Sequence, residues 1–135
     1  MQRILTAYAV TIVAMAAIDF GWLMTMTSRF YKPRIGAILA DSPNLTAAVA
    51  FYLLYCAGVV ALAVWPALQS GNWVDALWRG AALGLVAYGT YDLTNMATLK
   101  AWPLDLTVVD MVWGTILTGG TAAAAAAVTN AFTKG

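Results

Sequence analysis

The sequence predicts an all-α integral membrane protein, a bundle of four transmembrane helices. Three observations predict it. Of the 135 residues, 62% are hydrophobic and only 10% charged, against about 25% charged in soluble domains. Four apolar stretches reach the roughly 20 residues that a bilayer core requires. The third is the placement of three aspartates, Asp19, Asp92 and Asp110, inside those stretches rather than between them.

The first helix is expected over residues 4–27. Met1-Gln2-Arg3, an apolar run and Ala14-Met15-Ala16 resemble a secretory leader with its cleavage site. The apolar stretch continues past that site to Met26, which suits a membrane span. A basic connection, Thr27 to Ser42, follows with Arg29, Lys32 and Arg34. Phe30 and Tyr31 could lead a short interfacial helix there.

The second helix is expected over residues 44–65. Asp41-Ser42-Pro43 supplies a cap and an early proline, and Trp65-Pro66 closes it. A polar connection from Pro66 to Trp73 leads to the third helix, residues 74–98. Leu99 to Pro103 is so short that the third and fourth helices must be antiparallel neighbours. Trp102-Pro103 with Asp105 opens the fourth, residues 104–129. Trp65, Trp73, Trp78 and Trp102 lie near helix ends, where indoles anchor to the interface. No linker or break in composition divides the chain, so residues 1–135 read as a single membrane domain.

Several function classes recede. A net charge of +1 offers no basic stripe, so no nucleic-acid partner is expected. The chain lacks histidine and its six acids are all aspartate. The commonest general base and the commonest transition-metal ligand are therefore missing. Cys56 stands alone in an apolar run and is expected to pack as a small apolar residue. No metal site or cofactor is read from these residues. Arg79, four residues after Asp75, suits an interfacial pair or a snorkelling side chain. Arg29, Lys32, Arg34 and Lys100 lie on one face, against Arg3, Arg79 and Lys134 on the other. This charge difference places both termini outside the cytoplasm.

The aspartates carry the functional argument. A carboxylate at mid-helix costs about 2.5–3.5 kcal/mol to insert. Asp19, Asp92 and Asp110 each lie about six to eight residues inside their helices, counted from the basic connection. At 1.5 Å per residue, all three fall roughly 9–12 Å below one interface. Helices of alternating direction thus bring their acids to a common level.

Other groups join that layer. Gly80, Gly84, Tyr88, Tyr91 and Asn95 share one side of the third helix, with Asp92 at its edge. Thr107, Asp110, Gly114, Thr118 and Thr121 share a face of the fourth, which the run Ala122 to Ala127 extends. Tyr52 and Tyr55 reach the same depth from the second. Asp19/Trp22 and Asp110/Trp113 repeat an Asp-x-x-Trp spacing, which sets each acid beside an indole of its own helix.

The plainest account is that these groups hydrogen-bond the helices together. Such bonds contribute about 0.6 kcal/mol each in membranes, less than inserting an aspartate costs. The reading preferred here is an acidic pocket, open to the basic face, that takes a small ligand, a lipid head group, a cation or a proton. Its expected ligand-binding residues are Asp19, Trp22, Tyr52, Tyr55, Tyr88, Tyr91, Asp92, Asn95, Asp110 and Trp113. Transport would need a homo-oligomer, with the Gly80/Gly84 face as its seam. Two alternatives stand beside it. One is a membrane-embedded enzyme acting on a lipid or isoprenoid, its carboxylates holding a hard cation or working as acid and base. The other is an accessory subunit of a larger membrane complex, with membrane lipids as its surroundings.

The string Tyr88 to Asn95, YGTYDLTN, carries a resemblance. With it go Asp19, Trp22-Leu23, Phe30-Tyr31, Asn44, Phe51 to Tyr55, Pro66-Ala67-Leu68 and Ala97-Thr98. Trp102-Pro103, Asp110, Trp113-Gly114 and Leu117-Thr118 complete the set. On these residues the chain resembles a bacterial family of small predicted membrane proteins catalogued as domain of unknown function 2177. The resemblance implies a four-helix, multi-pass protein of the bacterial inner membrane. It brings no activity, substrate or catalytic residue with it.

Overall fold

The computed structural model describes residues 1–133, which form four long helical segments. These are α1 (Gln2–Ile38), α2 (Leu45–Ser70), α3 (Trp73–Thr98) and α4 (Leu104–Thr133). No strand occurs among the described residues. By length and composition α1, α2 and α4 can each cross a bilayer. The third, α3, equals α2 in length at 26 residues and is more polar, with Asp75, Arg79 and Asp92 along it. Its most extensive packing is against α4, as the short connection between them requires.

The packing is inverted relative to a protein in water. Phe20, Met24, Leu54, Val86 and Ile116 are exposed, whereas Thr11, Asp19, Asp92, Thr118 and Thr121 are buried. Lipid as the surrounding solvent accounts for this, because apolar side chains need no shelter there and polar ones do. Cys56 is buried and free, its Sγ 3.9 Å from Met15 Sδ.

Small residues bring α3 and α4 together. A Cβ on Gly80 would lie 2.7 Å from the Thr118 carbonyl oxygen, and one on Gly84 2.2 Å from that of Gly114. The glycine face expected to meet a second copy is thus filled by α4 of the same chain. Ala122, Ala125 and Ala126 lie fully buried further along α4.

Two expected helix ends, the first at residue 27 and the second at Trp65-Pro66, are not ends. Residues Thr27–Tyr31 form a π turn just before Pro33, and Val60–Val64 form another just before Pro66. A proline ring clashes with the carbonyl four residues back and donates no N–H. A widened turn upstream shifts bonding to five residues back, as Lys32 N–H to Thr27 O and Trp65 N–H to Val60 O show. Both helices therefore run through. What was expected as a loop after residue 27 is the upper part of α1, which over 37 residues extends about 55 Å. That exceeds a hydrocarbon core of about 30 Å.

The extension is fastened to the bundle. Arg34 Nε lies 2.7 Å from Asp105 Oδ2 at the start of α4, and its guanidinium sits 3.9 Å over the Phe30 ring. The expected Asp75–Arg79 pair does not form. Asp75 accepts from Ser70 at 2.5 Å, and Arg79 is exposed, as a snorkelling side chain would be. Lys134, counted with Arg3 and Arg79, lies outside the described residues.

The cap of α2 also differs from expectation. Asn44, not the Asp41-Ser42 pair, takes the N-cap and accepts from Ala47 N–H at 3.0 Å. Asn44→Ala should lower stability by about 1 kcal/mol, read as a lower melting temperature in detergent. Asp41→Ala should leave it unchanged.

Candidate functional site

Three features of the fold build the site. The close approach of α3 and α4 comes first. Gly114 lacks the Cβ that would meet the Tyr88 ring at 2.1 Å, so Tyr88 lies flat on α4. The π turn of α1 comes second. Thr27, Tyr31, Ile35 and Leu39 recur every four residues and face inward along the extension. The third is the Asp-x-x-Trp spacing on α1 and α4, which sets Trp22 against Trp113 as parallel stacked rings 4.2 Å apart.

Around these lies a cavity of about 280 Å³ at the end of the bundle formed by the first and third connections. Asp19, Trp22, Tyr31, Tyr88, Tyr91, Trp102, Asp110 and Trp113 line it, and Leu23, Thr27, Ile35, Leu39 and Leu106 complete the wall.

Both carboxylates in the wall are fixed by neutral donors. Tyr31 donates its hydroxyl to Asp110 Oδ1 at 2.6 Å and accepts from Trp22 Nε1 at 3.0 Å. Tyr52 donates to Asp19 Oδ2, and Trp113 Nε1 donates to Asp19 Oδ1 at 3.2 Å. The expected pairing of each acid with its own helix's indole is therefore exchanged. The α1 acid is held by the α4 indole, and the α1 indole reaches the α4 acid through Tyr31. An i,i+3 neighbour on a helix shares a face with its partner but need not bond to it.

The expected site residues divide accordingly. Asp19, Trp22, Tyr88, Tyr91, Asp110 and Trp113 come together around the cavity. Tyr52 stands behind Asp19 as its donor. Tyr55 lies deeper, 2.7 Å from Thr118 Oγ1. Asn95 is half-buried on α3 outside the wall. Asp92 is fully buried outside the wall, its carboxyl against that of Asp110, and neither of its oxygens has a donor from another described residue. The position at the edge of the α3 arc, noted from spacing, turns its carboxyl into the α3–α4 contact instead of the cavity.

The common chamber thus contains two of the three acids. Among the described residues no three aspartate or cysteine side chains gather as a metal-holding group. Sequence reasoning missed Tyr31 and Trp102 because it placed both in connections. Their signal was present, since Phe30-Tyr31 and Trp102-Pro103 belong to the motif residues.

A family described as Predicted membrane protein (DUF2177) matches the chain over residues 4–127. No curated protein and no solved structure matches it.

Proposed function

Because the chain belongs to the DUF2177 family of predicted membrane proteins, its cavity is read as a site inside lipid, and we propose that it binds a small ligand carrying a positive charge. The observation that supports this is a charge imbalance. Two carboxylates face one cavity, and no lysine or arginine is in its wall. Arg34, the basic residue nearest in the chain to Tyr31 and Ile35 with a carboxylate partner, is bound to Asp105.

Tyrosine hydroxyls and indole N–H groups orient Asp19 and Asp110 without neutralising them. A cation from outside supplies the missing charge. Trp22, Trp102, Trp113, Tyr31, Tyr88 and Tyr91 surround it with aromatic rings, whose faces attract an ammonium and are worth about 2 kcal/mol when desolvated. The cavity suits a compact organic cation better than a bare metal ion, which needs more oxygen donors than two monocarboxylates on separate helices provide.

The test is a tryptophan-fluorescence titration of the protein in nanodiscs with tetramethylammonium chloride, against sodium chloride at equal ionic strength. A saturable change is expected, absent from the Asp19→Asn/Asp110→Asn double variant. A response no different from that to sodium chloride would overturn the proposal.

A further inference from the structure

The acidic cavity does not close on the side facing α2. Residues 45–54 of α2 are exposed except for Tyr52, whereas from Cys56 onward the helix is buried at Cys56, Val59, Val60, Ala63 and Val64. Residues 45–54 thus lean chiefly on α1, held by Tyr52 to Asp19 and by Tyr8 Oη to the Leu53 carbonyl at 2.9 Å. Between it and α3 a groove of about 580 Å³ opens towards lipid.

Phe51 supplies one bank of the groove and Ala87, Thr90 and Thr94 the other. Its inner end is formed by Tyr88, Tyr91 and Asp110, three residues that also line the acidic cavity. An apolar groove and an anionic chamber therefore share one carboxylate, Asp110, and two tyrosines in their walls.

From this shared lining we propose that the ligand is an amphiphile with an ammonium head and one alkyl chain, the head at Asp110 and Asp19 and the chain along the α2–α3 groove. The proposal rests on the cation-binding reading above and names the class of ligand. Two observations select this occupant. An apolar helix from a second copy or a partner would bring no charge to Asp110, whose one hydrogen-bond donor among the described residues is the neutral Tyr31 hydroxyl. A head-and-tail molecule matches both ends, and the bilayer delivers it sideways without passage through water. The groove volume falls within the range usual for small-molecule sites, and the cavity lies just below its lower end.

The test compares dodecyltrimethylammonium with tetramethylammonium by fluorescence titration of the full chain in nanodiscs, for wild type and Ala87→Trp. An indole at the half-buried Ala87 fills the groove and leaves the cavity untouched. Ala87→Trp should weaken the long-chain compound by about tenfold or more and leave tetramethylammonium unchanged. Thr94→Trp, at an exposed position of the same groove, repeats the block without disturbing helix packing.

Equal long-chain binding by wild type and both variants would overturn the groove assignment while the cation site stood. Loss of tetramethylammonium binding in wild type itself would remove the cation site and this proposal with it. A change of oligomer size in both variants, with long-chain binding intact, would assign the groove to a protein partner and overturn the proposal.

Discussion

Gly84→Ala should destabilise the protein by about 3 kcal/mol, the upper part of the usual range for overpacking. The new Cβ would lie 2.2 Å from the Gly114 carbonyl oxygen and 2.8 Å from Thr118 Cβ. The first of these is helix backbone, so no side-chain rotation relieves it. The axes of α3 and α4 must separate, and Tyr88 then loses its seat on Gly114. The loss should appear as a fall in melting temperature in detergent, and at unchanged molecular size, because α4 of the same chain occupies this face. A dissociating dimer of normal stability would instead restore the intermolecular seam. Gly21→Ala and Gly120→Ala are the controls. A Cβ at either position meets nothing within 4 Å, so both should be neutral or slightly stabilising, as alanine is in a helix interior.

Asp110→Asn should weaken tetramethylammonium binding by roughly tenfold to hundredfold and change stability little. The amide keeps an oxygen that can accept from Tyr31, so the Trp22–Tyr31 chain of bonds persists. What disappears is the charge. Tetramethylammonium has no N–H to donate, so what it loses is ion–ion attraction, about 1.4–2.7 kcal/mol for a tenfold to hundredfold change. Asp92→Asn provides the comparison, because that carboxyl is buried outside the cavity wall. Its effect on affinity should be small. Equal loss in both variants would mean that the two neighbouring acids act as one group.

Much of the architecture was legible. Helix number, the antiparallel α3–α4 pair and the inward faces of α3 and α4 follow from apolar run length, a short connection and helical periodicity. Buried Thr107, Asp110, Gly114, Thr118 and Thr121 lie where that periodicity puts them. Pro66 misled because a local rule, that proline ends a helix, was met by a local remedy. A π turn ahead of Pro33 and Pro66 changes which carbonyl each N–H reaches, and nothing in residue type announces it. Tyr31 was missed because 27–42 was read as a connection with at most a short interfacial helix, which did not continue the inward face of α1.

The sequence by itself determined a membrane bundle with acids at one depth, because run length, periodicity and rise per residue are properties of single helices. Only the tertiary structure decided that Asp19 and Asp110 share a chamber while Asp92 is shut between α3 and α4, that the indoles serve each other's acids, and that the glycine face is filled from within. Those outcomes depend on how each helix is rotated and how closely it approaches its neighbours. The close fit of small residues across an interface sets both, and a sequence pattern reads only one helix at a time.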